Sequence, residues 1–132
     1  MITGQVNSKL EAVIPLPVQG PQANTHELAA IIDTGFSAFL TLPRALSETL
    51  GLTSSINSKL TLADGSEVPT DLCSVIVVWD GQPRRVMADV FESEVLVGMA
   101  MMKGYELSAG IVPGGPVTLK PLAPAPSPTA QS

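Results

Sequence analysis

The 132-residue sequence has few of the side chains that metal sites and nucleophilic enzymes use. It contains one cysteine, Cys73, and one histidine, His26, so an intramolecular disulfide is impossible and zinc-finger spacing is excluded. A Cys–His nucleophile of the ordinary type is excluded as well, unless these two side chains happen to meet. Cys73 lies inside an apolar run, which predicts a buried, inert thiol. Carboxylates are therefore the main candidates for chemistry.

Positive charge is also scarce. Seven Lys and Arg residues against twelve Asp and Glu residues give a net charge of −5, so a phosphate backbone would find no cationic surface. No apolar run approaches the roughly 20 residues that span a bilayer. The first ten residues lack a basic segment followed by an apolar one, so we expect no secretory signal and a cytoplasmic protein. The sequence predicts neither nucleic-acid nor membrane partners.

What the sequence does contain is apolar residues, which make up 45% of the chain and are interrupted by 11 glycines and 12 prolines. With 14% charged residues, this balance predicts a folded domain with many tight turns rather than a disordered chain. We expect one domain over residues 1–122. From residue 123 to 132 the composition shifts to Pro, Ala and Ser, which predicts a solvated tail.

Short strand-like runs between turn signals predict a mostly β fold, either a compact barrel or a sandwich, with two short helices. Asp64-Gly65 and Asp80-Gly81 are typical of hairpin turns, because both residues of each pair tolerate positive φ. Two prolines in residues 10–18 restrict that strand to an edge or margin of the sheet. The helices are expected at residues 43–50, with Pro at the first helical position, and at residues 99–103.

The stretch that carries chemistry is the apolar run 29–32, which leads into Asp33, Thr34 and Gly35. Ending a buried strand on a carboxylate is costly unless the carboxylate is hydrogen-bonded or paired. Thr34 and the amides around Gly35 could supply those bonds, and Gly35 lets another backbone approach closely. Taken alone, the triplet is equally compatible with a strand that stops at an Asx-type turn.

The surroundings of this triplet resemble the retropepsin-like aspartic proteases. The apolar residues before Asp33-Thr34-Gly35 match the active-site motif of that family. About sixty residues later, Val95-Leu96-Val97-Gly98 and the expected helix after it are similar to the second signature of the family. Residues 59–70, turning at Asp64-Gly65, stand where the family places its flap hairpin. The resemblance covers residues 10–122, looks closest to small stand-alone bacterial members, and implies a retropepsin-like closed barrel or β-sandwich with a flap hairpin.

The resemblance implies an aspartic endopeptidase that works as a homodimer on peptides or proteins. Such chemistry needs two neighbouring carboxylates that share a proton. The chain has one Asp-Thr-Gly triplet, so the second carboxylate would be Asp33 of another copy across a two-fold axis. Thr34 would hydrogen-bond across that axis, Gly35 would contact the substrate backbone, and Val97-Gly98 would pack beneath the loop. No metal or organic cofactor is implied, because the reaction needs only water and the two carboxylates.

Substrate binding is expected at two places, the residues after the triplet and the flap tip, namely Phe36, Ser37, Ala63, Asp64, Gly65 and Ser66. Phe36 and Ser37 differ from the residues that many members of the family carry there. The tip has one glycine and a charge, which predicts a stiffer flap. These departures keep a second function open, that of a catalytically inactive retropepsin-like module that dimerises or binds peptides.

Overall fold

The computed structural model describes residues 1–21, 24–52 and 54–123. The elements in these ranges are ten strands and one helix: β1 (Ile2–Val6), β2 (Ala12–Gln19), β3 (Thr25–Ile32), β4 (Leu40–Pro43), α1 (Arg44–Thr49), β5 (Ser54–Thr61), β6 (Glu67–Trp79), β7 (Gln82–Phe91), β8 (Leu96–Val97), β9 (Tyr105–Ala109) and β10 (Pro116–Pro121). The mostly β fold predicted from the sequence is confirmed. The predicted tail at 123–132 lies, apart from Ala123, outside the described residues.

Six of the strands close into a barrel. Neighbouring strands follow the order β6-β7-β4-β8-β3-β2, and β2 pairs again with β6 through Val18 and Gln19, which joins the two ends. The pairs β3–β8 and β4–β7 are parallel, whereas β4–β8 and β2–β3 are antiparallel. Outside the barrel, β5 extends the sheet beyond β6, and β1, β10 and β9 extend it beyond β2. The closed barrel anticipated from the sequence is therefore present.

The barrel is filled by every second residue of its strands. On β2, Ile14, Leu16 and Val18 are buried while Pro15 between them is exposed, as expected for side chains that alternate between the two faces of a sheet. Burying one aliphatic side chain of this size contributes roughly 1.5–3 kcal/mol. Cys73 belongs to the same core, which confirms the predicted buried thiol.

β2 is an interior strand, so the prediction that its prolines confine it to a sheet margin is wrong. β3 pairs with β2 along residues 13–19, whereas on the other side β1 reaches residues 12–13 and β6 reaches residues 18–19. Pro15 and Pro17 fall in the interval that neither β1 nor β6 covers. There β2 has a neighbour on one side only, which is the local equivalent of an edge, where prolines are tolerated.

Residues 99–103 do not form the predicted second helix. They make successive turns, closed by two i to i+3 hydrogen bonds of 3.2 and 3.0 Å. The N–H groups of Met99 and Ala100 donate to the carbonyls of Phe36 and Ala38, at 2.8 and 3.2 Å. Because these amides bond to the loop that follows β3, the segment is fixed by tertiary contacts that a local helical pattern does not reveal.

The helix α1 (Arg44–Thr49) is the first of the two predicted helices, with a shifted start. Pro43 is its N-cap and the last residue of β4, so it does not occupy the first helical position. At the other end Gly51 adopts a φ of +73°, and the N–H groups of Gly51 and Leu52 donate back into the last turn at 3.0 and 2.9 Å. This is the Schellman arrangement, and it ends the helix at the left-handed Gly51.

Candidate active site

Asp33 lies where β3 leaves the sheet. Its backbone N–H donates to the carbonyl of Val97 at 2.9 Å, and its Oδ1 accepts the N–H of Gly35, also at 2.9 Å. The second bond is the Asx-type turn that the sequence allowed. The side chain is half-buried, so the carboxylate is oriented by one hydrogen bond while it keeps access to the surface.

The two-residue strand β8 lies between β3 and β4 and supports residues 33–39, which we call the Asp33 loop. On the side of β3, the carbonyls of Val95 and Val97 accept the N–H groups of Ile31 and Asp33, both at 2.9 Å. On the side of β4, the N–H of Gly98 donates to the carbonyl of Phe39 at 3.0 Å. The residue after the strand is Gly98. A Cβ there would stand 2.2 Å from one backbone carbonyl oxygen of the loop and 2.7 Å from another. Glycine is therefore required at this position for the loop to sit on β8.

A cleft of about 270 Å³ opens beside Asp33. Its lining comes from the Asp33 loop, the barrel strands and the hairpin of β5 and β6, and consists of Asp33, Gly35, Phe36, Thr41, Leu60, Thr61, Leu62, Ala63, Phe91 and Leu96. Asp33 supplies the single ionisable side chain among these lining residues. The cleft thus presents one carboxylate to a largely apolar space, and it is slightly smaller than the roughly 300–1,000 Å³ of ordinary ligand pockets.

The hairpin of β5 and β6 forms the opposite wall of the cleft, and we call its tip, residues 62–66, the flap tip. Leu62 closes the flap tip, because its carbonyl accepts the N–H of Gly65 at 2.9 Å and its N–H donates to the carbonyl of Ser66 at 2.8 Å. Gly65 has a φ of +86°, whereas Asp64 has a negative φ. The turn is therefore a three-residue loop that ends in a left-handed glycine, which confirms the predicted hairpin turn at Asp64-Gly65, with only the glycine at positive φ.

Asp64 carries the charge of the flap tip, and Ser66 holds its carboxylate by two hydrogen bonds. The Oδ1 of Asp64 accepts the hydroxyl of Ser66 at 2.6 Å and the N–H of the same residue at 2.9 Å. The hydroxyl bond, followed by the backbone bond, lowers the pKa of Asp64 below its ordinary value. The carboxylate points back into its own turn and does not line the cleft.

The sequence-predicted site residues divide into two groups. Four of them line the cleft, namely Asp33, Gly35, Phe36 and Ala63; five do not, namely Thr34, Ser37, Asp64, Gly65 and Ser66. Phe36 is 8% exposed and its ring edge packs against Gly98, so it is a wall of the cleft that is itself held by β8. Thr34 and Ser37 are exposed on the loop.

Several cleft residues were not predicted from the sequence. Leu60 and Leu62 alternate along the flap hairpin, a period-two pattern that could have assigned them to one face. Thr41, Phe91 and Leu96 reach the cleft through pairings between strands that are distant in the chain. A single sequence carries no signal for such pairings.

A second carboxylate, Asp89, is buried in β7 near the cleft but outside it. It is 7% exposed and accepts the hydroxyl of Thr70 at 3.0 Å. The strands β3, β8, β4 and β7 lie side by side, so Ile31 and Asp89 stand three strands apart along the curved sheet. Asp33 lies two residues beyond Ile31. The Asp89 carboxylate does not line the cleft beside Asp33 and is bonded instead to Thr70.

In residues 1–21, 24–52 and 54–123 no group of three or more His, Cys, Asp or Glu side chains is arranged to hold a metal ion. Among the described residues, no helix has the length and apolar character needed to span a membrane.

Comparisons with known proteins bear on the path of the backbone. No protein-family model matches the chain. No curated protein sequence matches it either. Among solved structures, the chain is similar to the crystal structure of a retropepsin-like aspartic protease from Rickettsia conorii, with a TM-score of 0.56 and 15% sequence identity over 92% of this chain and 90% of that chain. This likeness covers most of both chains, and the chain therefore has the retropepsin-like fold.

Proposed function

We propose that the protein is an aspartic endopeptidase that hydrolyses peptide bonds at an active site shared by two copies of the chain. The observation that carries the proposal is that Asp33 is, among the residues that the structure describes, the one carboxylate that lines an apolar cleft between a supported loop and a flap hairpin. An extended peptide fits such a cleft, because its side chains can contact apolar walls while its backbone passes the carboxylate. The retropepsin-like fold supports this assignment.

The chemistry requires a second carboxylate. In aspartic proteolysis the ionised member of a carboxylate pair takes a proton from water, and the water oxygen attacks the scissile carbonyl carbon. The protonated member donates to the carbonyl oxygen, and a later proton transfer to the nitrogen releases the amine. Among the described residues no other carboxylate side chain lines the cleft, and that of Asp89 lies outside it, bonded to Thr70. A copy related by a two-fold axis supplies the missing group as its own Asp33.

The other predicted site residues take supporting parts in this proposal. Thr34 is exposed beside the carboxylate, where its hydroxyl can hydrogen-bond across the two-fold axis. At Gly35 a Cβ would meet only the Asp33 carboxylate within 4 Å, at 3.3 Å, so a substrate backbone can approach closely. Phe36 and Ala63 are walls for substrate side chains. Ser37, exposed on the Asp33 loop, can offer its hydroxyl to the substrate, whereas the flap-tip residues Asp64, Gly65 and Ser66 would contact the substrate only after the flap moves over it.

The proposal is tested with Asp33→Asn, which keeps the shape of the side chain and removes its charge. Purified protein is assayed on a peptide library between pH 4 and pH 7, and we expect cleavage by the wild type and none by the variant. Asp80→Asn is the matched control, because Asp80 lies in the β6–β7 turn, has a positive φ that Asn tolerates, and does not line the cleft. It should retain cleavage.

An active site shared by two copies also requires an intact Asp33 in both of them. Excess Asp33→Asn protein mixed with wild type should lower the activity per wild-type chain, because mixed dimers hold one carboxylate. Unchanged cleavage by Asp33→Asn, or full activity of a monomer at high dilution, would contradict the proposal. A wild-type protein that binds peptides without cutting them would favour the inactive binding module instead. The cytoplasmic location stays a prediction from the sequence.

A further inference from the structure

Thr41, in β4, has no exposed surface and contributes to the floor of the cleft. Its hydroxyl donates to the carbonyl of Glu94 at 2.7 Å and accepts the N–H of Leu96 at 3.0 Å. Glu94 lies just before β8, and Leu96 is the first residue of β8. One buried side chain therefore bonds both ends of the segment that leads into this strand.

β8 depends on such anchors because it is only two residues long. A strand of this length has little ladder of its own, yet the carbonyl of Val97 accepts the N–H of Asp33 at 2.9 Å. At the far end of β8, the N–H of Gly98 bonds to the carbonyl of Phe39 at 3.0 Å. The hydroxyl of Thr41 is the corresponding anchor at the near end.

We propose that Thr41 is a positioning residue for Asp33, acting through Leu96 and Val97. The inference rests on the proposed function, in which two Asp33 carboxylates share a proton and tolerate little displacement. Thr41 is not a catalytic residue, because it has no exposed surface and both hydrogen-bonding roles of its hydroxyl are taken within the chain. Its two hydrogen bonds fix the position of β8 relative to the Asp33 loop.

A purely structural role for Thr41 and a positioning role predict different effects of its substitution on stability and on turnover. If its bonds only stabilised the fold, their loss would lower the free energy of unfolding and leave turnover by the folded fraction unchanged. If they position Asp33, the folded protein turns over more slowly while it binds substrate nearly as before. The separation of kcat from KM in folded protein distinguishes the two.

The test compares Thr41→Val, which keeps the shape and removes the hydroxyl, with Thr41→Ser, which keeps the hydroxyl and removes the methyl group. At a temperature where circular dichroism shows all proteins folded, we expect Thr41→Val to lower kcat about tenfold or more with KM changed less than about twofold. Thr41→Ser should restore kcat to within about threefold of the wild type. A wild-type kcat in Thr41→Val, or equal losses in both variants, would overturn the inference.

A second measurement separates this inference from the proposed function. Amide hydrogen exchange at Asp33, followed by NMR, reports the bond to Val97 whether or not the protein cuts peptides. Thr41→Val should raise the exchange rate at Asp33 about tenfold relative to a core amide such as Val77, and Thr41→Ser should not. If the wild type proves inactive, the proposed function fails, and unaltered exchange at Asp33 in Thr41→Val would by itself refute the positioning part.

Discussion

The Asp33 loop and the flap tip face each other across one cleft, and they are held in place by different kinds of contact. Besides two bonds within itself, the Asp33 loop is bonded to distant parts of the chain, among them the carbonyl of Val97 and the N–H groups of Met99 and Ala100. The hydrogen bonds of the flap tip join residues within 62–66 to one another. The loop is therefore fixed to the barrel, whereas the flap tip is a self-contained turn.

This difference suits the two tasks that the proposed function assigns. A carboxylate that must meet its copy across a two-fold axis needs a support with no freedom to shift, and Gly98 packed under Phe36 provides it. A hairpin that must admit and then cover a peptide needs low local stability, which exposed, locally bonded turns have. Substitutions should therefore cost far more in the loop support than in the flap tip.

The largest effect is expected from Gly98→Ala. The new Cβ would lie 2.2 Å from the carbonyl oxygen of Ala38 and 2.7 Å from that of Phe36. Both are backbone atoms that cannot rotate away, so we expect a loss of about 3 kcal/mol in the free energy of unfolding, measured by urea denaturation. Gly35→Ala is the control, because its Cβ would meet only the Asp33 carboxylate, at 3.3 Å. Equal losses in the free energy of unfolding of the two variants would contradict the expectation that the support at Gly98 tolerates substitution less well than the loop itself.

A smaller effect is expected from Gly65→Ala at the flap tip. No atom lies within 4 Å of the position that the Cβ would take, so the cost comes only from the φ of +86° and should be about 1 kcal/mol. Increased hydrogen exchange should be confined to residues 62–66. Gly65→Asn, which tolerates a left-handed backbone better, should lose less. A loss at Gly65 greater than that at Gly98 would reverse the comparison.

Much of the fold was accessible from local sequence signals, and the failures share a physical cause. The long strand β6 and the Asp-Thr-Gly triplet at the end of β3 follow from apolar runs and the polar residues that end them. β1 was not predicted, because its five residues, with Gly4 at the centre, form a strand only by pairing with β2 and β10. The helix expected at 99–103 failed for the same reason, since its first amides bond to the Asp33 loop.

The two Asp-Gly turns show the limit of local prediction most directly. At Asp80-Gly81 both residues have positive φ, 53° and 81°, and the flanking residues pair as in a two-residue hairpin. At Asp64-Gly65 only the glycine does, because the ladder ends further from the turn. The same dipeptide thus gives two turns, since the register of the flanking strands selects the turn type. Likewise, Asp33 could be predicted as the site carboxylate, but Phe91, which lines the same cleft, could not.

The smallest effect concerns the charge at the flap tip and is best measured as a pKa. The Ser66 hydroxyl and N–H hold the pKa of Asp64 below its ordinary, unfolded value. This contribution to the turn is therefore fully present above the unfolded pKa and is lost as the pH falls through the lowered, folded pKa. Because Asp64 is exposed, the effect should stay local and leave global stability unaltered.

Ser66→Ala removes the shorter of the two bonds, so the pKa of Asp64 should rise towards its ordinary value while the remaining N–H bond keeps part of the shift. An NMR titration of the Asp64 carboxyl carbon measures this directly. Ser37→Ala, on the opposite wall, should leave the pKa of Asp64 unaltered, because the flap tip makes its bonds within itself. A response of Asp64 to Ser37→Ala would show that the two walls are coupled, and an unchanged pKa in Ser66→Ala would show that the turn is held by its backbone alone.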